Sequence, residues 1–584
     1  MTKAHRISRV LWAGLASATL LLAACAPSAA PTAPPAPSAP APSAPAAPTA
    51  APAPRPAPTQ AAATPAPQPP SALPTAIVAT PVGAAKRGGV LLIGTIEDPP
   101  TYDVHQETST NSLLALRNNY EGLVKYHYLR QNEIVGELAE KWAVSQDGLT
   151  YSFQLRKGVT WHDGKPFTAE DVAFSLMRAA YPDQYKIVSP RVAALLTAVD
   201  KVDVVDPSTI NIKLKFTSAS FLQGLATDWP LIMPKHTIQA KGDMKRDVNG
   251  TGPFTLARHD RGVSVELKRY AGYWDKNLPY MDGITFYVIP DDSTRFAAFR
   301  TGRIRMTYIG QRAMTPDQAE TIKKEMAGRA TVKEHAAFTR LVFMMNTAKK
   351  PWSDARVRRA VHLALDRQNL IKLNDNLGVM GAALHPFGAW GLTPDELSTM
   401  PGYRQPKTQD IADAKKLMAD AGYANGFKTT MLNRTGRAGR LAPAVKEQLA
   451  AVGIDVQIDN QEQSAIQVKM NAKNIDTVWW GYAEPIDDPD PPFAAIYATN
   501  GPRNSGSFSD AELDAMFQEQ QRTLDVTKRK QIVRKMQERV LELAAYPVGF
   551  WDVYQRGFWN EVKDFIPGPG PYVNLKLDRV WLDR

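Results

Sequence analysis

The sequence predicts an α/β protein of more than one domain, and three observations carry that expectation. At 584 residues the chain exceeds what one hydrophobic core organises and points to about two to four domains. From Gly88 onward, runs of period two alternate with runs of helical period. Within Tyr151–Leu176, YSFQLRKGVTWHDGKPFTAEDVAFSL, both periods occur back to back and form a strand, turn and capped helix.

The chain begins differently. Lys3, Arg6 and Arg9 precede the apolar run Val10–Ala24, which is shorter than the roughly 20 residues of a membrane span and has the build of an export signal. It ends Leu22-Ala23-Ala24-Cys25, which resembles a lipobox, and Cys25 is the single cysteine of the chain. Cleavage there would leave a thiol and a new amine to carry the two or more lipid chains that stable anchoring needs. Residues 26–87 are almost entirely Pro, Ala, Ser and Thr, with too little apolar bulk to offset ordering entropy, so they form a disordered tether. At about 3.1 Å per residue its reach is on the order of 150 Å. The net charge of +11 does not point to nucleic acid: six basic and no acidic residues precede Gly88, which leaves +5 for the remainder, and no nucleic-acid motif accompanies it.

The remaining elements follow in order. Gly88–Ile96 is a buried-type strand closed by Asp98-Pro99-Pro100, and Ser112–Leu123 has helical period. In the central stretch Tyr151, Phe153 and Leu155 alternate with polar residues, Gly158 ends the strand, and Thr168 with Asp171 caps the helix. Strands are predicted at Thr209–Leu214, Val263–Leu267 and Ile284–Ile289, with Asn249-Gly250-Thr251-Gly252-Pro253-Phe254 as a tight turn. Phe296–Ile304 is helical and runs into Gly302-Arg303-Ile304-Arg305. Asp354 caps the helix in Pro351-Trp352-Ser353-Asp354-Ala355-Arg356-Val357-Arg358-Arg359-Ala360, and Gly422 has the position of a C-cap. Leu449–Val456 reads as helix, turn and strand. An aromatic strand, Val478-Trp479-Trp480-Gly481-Tyr482, leads into Ala483-Glu484-Pro485. Lys528–Ala544 is an amphipathic helix, and a return strand starts at Tyr546.

The pattern Phe-x-Leu-Arg-x-Gly-Val-x-Trp-His-Asp-Gly-x-Pro-Phe-Thr-Ala-x-Asp-Val, with the blocks at 351–367 and 414–423, resembles extracellular solute-binding proteins of family 5. These deliver oligopeptides, dipeptides, nickel or oligosaccharides to ABC importers. The resemblance covers about 88–584. It implies a two-lobed periplasmic-binding-protein fold (type II) with an accessory subdomain. Lobe one would span 88–308, with the subdomain at about 121–234; lobe two would span 309–546, and 547–584 would return to lobe one. The protein would be a monomer that captures a small solute between its lobes, exported and lipid-anchored in the periplasm or on the outer face of the cell membrane. Its partner would be the importer's permease. An oligopeptide or dipeptide leads among the solutes, with an oligosaccharide, nickel complex or organic anion as alternatives. A lipid-anchored interaction or chaperone-like protein is the alternative from another class.

No catalytic constellation has suitable spacing. The nine histidines are scattered, no second cysteine is present to share a zinc ion, and there is no Walker-type loop. The chain is therefore read as a binding protein, not an enzyme, with no cofactor or metal. By resemblance, the strand after Trp479 lines the site, giving Trp480, Gly481, Tyr482, Ala483 and Glu484 as candidates, with Tyr287 and Tyr308 from lobe one. In peptide-binding relatives an aspartate after the glycine-aromatic pair holds the ligand's amine; Pro485 stands there, beside Glu484. Arg434 falls near an arginine that holds the ligand carboxylate. At Gly302–Arg305, two arginines replace acids of the family pattern. They would favour an anionic ligand if they faced the crevice. If Cys25 is the lipid attachment point, labelled fatty acid attaches to the wild type and not to Cys25→Ser; equal labelling of both overturns the assignment.

Overall fold

Alternation decides the first element that the computed structural model tests. Tyr151, Phe153 and Leu155 are 4%, 0% and 1% exposed, while Ser152 and Gln154 between them reach solvent, as a strand with one buried face requires. The structure describes residues 85–106, 110–130, 133–187, 191–307, 314–434, 439–566 and 573–584, all within the unit Pro69–Arg584. Cys25, the signal segment, nearly all of the tether and Tyr308 lie outside the described residues.

Strand β1 (Val90–Thr95) precedes the hairpin β2 (Val124–Tyr126) and β3 (Ile134–Gly136). An antiparallel accessory sheet follows from β4 (Ala139–Val144), β5 (Thr150–Leu155), β6 (Val199–Asp206) and β7 (Thr209–Leu214), in the order β4-β5-β7-β6. Its core includes Phe153, Leu155, Trp161, Val172 and Ile210, so the helix Ala169–Ala180 packs onto the inner face. The cap joins turn to helix: the Thr168 amide donates to Asp171 at 3.1 Å, and Trp161 Nε1 donates to the same carboxylate at 3.3 Å. Strands β8 (Phe254–Asp260), β9 (Ser264–Arg269) and β10 (Gly283–Val288) complete a second sheet of order β1-β10-β9-β8. Together these two sheets make lobe one.

Lobe two is built on one six-stranded sheet. Its strands are β11 (Ala330–Met345), β12 (Gly378–Val379), β13 (Phe427–Arg434), β14 (Ile454–Gln461), β15 (Thr477–Ala483) and β16 (Val548–Trp559), in the order β12-β16-β11-β15-β13-β14. Both faces are covered at its centre, which is why Leu341–Met345 of β11 and Val478–Trp480 of β15 read as continuous apolar runs, while β14 at the edge alternates buried and exposed residues. Phe343, Val357, Val361 and Trp479 pack on one face, and Met344, Trp480, Tyr482 and Tyr546 on the other. The local helix signals hold here. Asp354 accepts the Arg356 amide at 2.8 Å, and Gly422, with φ +87°, follows the helix Thr408–Asp420.

β11 and β16 pair from Ala330↔Trp559 to Val342↔Val548, and they are long enough to touch both lobes. At one end Met306 bridges both β1 and β16 through Ile93 and Phe558; at the other end the pair lies inside the lobe-two sheet. The last segment then returns to lobe one, where Leu575, Leu577, Val580 and Leu582 join the core around β1 and β17 (Val562–Lys563) pairs with β18 (Trp581–Leu582).

A buried charge network fastens that return. Lys576 Nζ donates to Glu121 at 2.6 Å and Glu137 at 2.9 Å. Arg117 donates to Glu137 at 2.7 Å and to Asp228 at 2.6 Å. The Leu575 amide donates to the other oxygen of Asp228 at 3.0 Å. Burial alone would raise the Glu137 pKa, but Arg117, Lys576 and Lys125 hold it well below the usual carboxylate range. Removing one partner of such a network leaves a buried charge uncompensated, at a cost of about 3–5 kcal/mol. Lys576→Met should lower stability in denaturant melts by that order, with Glu121→Gln in the same background recovering part of it. A loss no larger than that of a surface lysine would show that the network does not hold the tail.

Candidate functional site

The site candidates gather where two strands of lobe two part. β15 pairs with β13 only at Met431↔Thr477 and Leu432↔Val478, while β11 accompanies it to Ala483. Beyond Val478 the β13 side of β15 is therefore an open edge among the described residues. Its polarity follows from the ladder. The Glu484 amide donates to the Phe338 carbonyl at 2.7 Å, which makes 338 and 484 a hydrogen-bonded pair. In an antiparallel ladder bonded and non-bonded pairs alternate. Arg340↔Tyr482 and Val342↔Trp480 are then bonded pairs as well. The amides and carbonyls of Gly481 and Ala483 consequently point away from β11 toward the open edge.

Arg434 stands beside this edge. It ends β13, its guanidinium lies 5.6 Å from the Trp480 ring centroid, and Nη1 donates to Gln463 at 3.1 Å. Gly481 leaves room next to it: a Cβ built there would meet only Arg434 Nη2, at 3.9 Å. Any side chain at position 481 would occupy that room. The edge thus presents, at Gly481 and Ala483, backbone groups without a strand partner among the described residues, next to a cation held over an aromatic ring.

Three candidates stand elsewhere than expected. Tyr482 is 1% exposed. Its ring packs with Met344, Trp480 and Trp551, its hydroxyl donates to the Arg503 carbonyl at 3.3 Å, and Arg503 covers the ring at 4.6 Å. It fills the core, because alternation turns Trp480 and Tyr482 together onto the face that the helices of lobe two cover. Burial pushes its hydroxyl up to about 12. Glu484 is 4% exposed, and its Oε1 lies 2.7 Å from Nη1 of the fully buried Arg340. The contact is an ion pair without hydrogen-bond alignment, since both atoms lack a hydrogen-bond partner. Glu484 is engaged inside the protein and does not replace the family's amine-binding aspartate. Tyr287 is half-buried, one side of it packed against the cluster of Phe299, Ile304 and Ile322 in lobe one. The arginines of Gly302–Arg305 also serve structure or solvent: Arg305 pairs with Glu561 and lies 4.7 Å above the Trp559 ring, and Arg303 is exposed.

Arg340 itself went unnoticed in the sequence. It lies between the rings of Trp551, at 5.1 Å, and Tyr497, at 6.0 Å. The signal available was a single charge at the head of the apolar run Leu341–Met345, which for a strand buried on both faces implies an internal partner.

Comparison with known proteins bears on the family and the fold. The family model "Bacterial extracellular solute-binding proteins, family 5 Middle" matches residues 133–504. The glutathione-binding protein GsiB of Salmonella choleraesuis (strain SC-B67) is 28% identical over 474 residues, 79% of this chain and 88% of that protein. The periplasmic binding protein DppA of Helicobacter pylori, solved with the peptide STSA, superposes with a TM-score of 0.72 at 25% identity, covering 85% of this chain and 99% of its own. AgaA from A. tumefacien R10, solved with agropinic acid, gives a TM-score of 0.69 at 24% identity over 85% and 99% of the two chains; at that identity it shows the fold alone. With a family model spanning more than half of its length, the chain belongs to the bacterial extracellular solute-binding proteins, family 5.

Proposed function

We propose that this protein captures a peptide-like solute outside the cytoplasm and passes it to an ABC importer. The observation that carries this reading is the open edge of β15. An extended ligand can pair its backbone with Gly481 and Ala483 as an added strand, and main-chain bonding of that kind takes many sequences. Arg434 supplies a cation for a ligand carboxylate. Relatives named for glutathione and for a bound peptide support the class. The lipid anchor at Cys25, the tether that follows, the permease partner and a monomeric state complete the proposal.

Capture also involves the lobes meeting. Ser220 of the accessory subdomain donates to Asp490 of lobe two, the Ala219 amide donates to the Gln521 carbonyl at 2.8 Å, and Ile486 sits within the accessory core. Ligand that touches both lobes shifts the population toward this arrangement by its differential affinity.

The edge is tested by Ala483→Pro, which removes the outward amide while leaving the bonds to β11 intact. Titrated with glutathione and short peptides, this variant and Arg434→Ala should each lose about tenfold or more in affinity with melting temperatures near wild type. Unchanged affinity in both would move the site elsewhere.

A second test follows from Asp490. Burial raises its carboxyl to about 6, and nearby Asp488 adds to this against Arg529, Ser220 and Gln520. When the lobes part, water returns and the pKa falls toward its ordinary 3.8. Between those values the joined state binds more protons, so lowering pH from neutral through 6 favours joining. Scattering of the unliganded protein should give a smaller radius of gyration near pH 5 than at pH 7.5, a difference that Asp490→Asn abolishes. Expansion on acidification would contradict it.

A further inference from the structure

Lobe one contains a cavity that the ligand edge does not use. Its volume is about 480 Å³, within the roughly 300–1,000 Å³ of small-molecule sites, and its walls come from the β2–β3 hairpin, the 273–278 segment and the C-terminal segment. Two cation-aromatic pairs lie in those walls: Arg156 stands 4.2 Å from the Trp274 ring centroid, and Arg579 stands 5.1 Å from that of Tyr128.

Among the described residues, two buried donors in the wall lack a hydrogen-bond acceptor, and a third cation beside them makes only long ion pairs. His127 Nδ1 accepts the amides of Leu129 and Arg130, at 3.2 and 3.0 Å. That assignment places the ring proton on Nε2, which is buried and has no partner. Asn574 Nδ2 is likewise buried without a partner. Lys125 Nζ lies 3.6 Å from Glu137 and 3.8 Å from Asp578, both beyond hydrogen-bond length. Unpaired buried donors cost about 1–3 kcal/mol each, so His127 Nε2 and Asn574 Nδ2 call for an acceptor that the described residues do not supply. Asp578 Oδ2 is also buried without a hydrogen bond, and only ion-pair contacts with Lys576 and Lys125, at 3.6 and 3.8 Å, reach it among the described residues. Its charge disfavours a dianion but leaves a single negative charge affordable beside Lys125. The neighbouring rings suit a flat apolar body.

We propose that this lobe-one cavity is a second binding site, taking a small monocarboxylate whose anionic end meets Lys125, His127 Nε2 and Asn574 Nδ2. The site is separate from the β15 edge, and its occupation does not require that edge to bind peptides. Because it is walled by the returning C-terminal segment, a ligand here bears on how firmly that segment is held.

Benzoate is the probe, with inorganic phosphate for comparison. Calorimetric titration of the full chain should show saturable benzoate binding, accompanied by a shift of the His127 ring resonances in histidine-labelled protein. Asn574→Gly should weaken that affinity about tenfold, the scale of one hydrogen bond to a charge. Asn574 has φ +60°, a backbone that glycine adopts without strain, so this variant keeps the fold where Lys125→Met fails to. Arg434→Ala should bind benzoate as wild type does. The proposal is overturned if benzoate gives no saturable signal, if phosphate binds in its place, if Asn574→Gly binds benzoate unchanged, or if Arg434→Ala abolishes binding, which would place the anion at the β15 edge.

Discussion

The pairing of β11 with β16 is the constraint on which the remainder of the structure depends. Each lobe has its own sheets and cores, and this ladder, part of the lobe-two sheet, reaches lobe one through Met306. The ladder's register shifts twice, by one residue between Leu341 and Val342 and more widely between Ala336 and Arg340, where β11 carries Ala337, Phe338 and Thr339 against the single residue Asp552 of β16. Extra residues of this kind bend a strand and increase its twist. The wider break lies opposite the end of β15, since Thr339 pairs with Ala483. The irregularity that joins the lobes and the edge proposed to receive ligand are therefore neighbours, and a change in the angle of one bears directly on the other.

The ion pair of Arg340 and Glu484 fits the same picture. A buried guanidinium and carboxylate in contact, yet without aligned hydrogen bonds, are costly by comparison with apolar residues of similar volume. Their position explains what such a pair can do. It ties the last residue paired with β11 back to the strand just after the break, while Trp551 and Tyr497 cover the cation. The end of β15 is thereby held in place although β13 has left its side, and an edge held rigid can accept a partner strand without first paying to order itself.

Local chemistry was legible in the sequence, and tertiary placement was not. The strand from Tyr151 to Leu155, the cap at Thr168 and Asp171, and the N-cap at Asp354 depend on residues a few positions apart, and each formed as its pattern dictates. Alternation also placed Trp480 and Tyr482 on one face. It could not say that this face is the one buried beneath helices, because that depends on segments far along the chain, such as Tyr546 and Trp551. The same limit applies to Glu484, whose partner Arg340 lies 144 positions earlier in the numbering. Gly481 and Arg434 were identified through family resemblance, yet their nearness rests on β13 and β15 being adjacent and then parting, a feature with no local signature.

The fastening of Lys576 has a consequence for the order in which the molecule can assemble. Its contact with Glu121 closes a separation of 455 residues, whereas the lobe-two sheet draws all six of its strands from one continuous stretch between Ala330 and Trp559. Contacts so far apart in sequence form late, because the entropy of closing the intervening chain must be met before they repay it. Lobe two can settle as a unit while lobe one still lacks both its final core residues and the Lys576 cation that pairs with Glu121. Until that segment arrives, Glu121 waits buried without its Lys576 partner and Glu137 has Arg117 as its only cation at hydrogen-bond distance among the described residues, so lobe one is the slower half to complete.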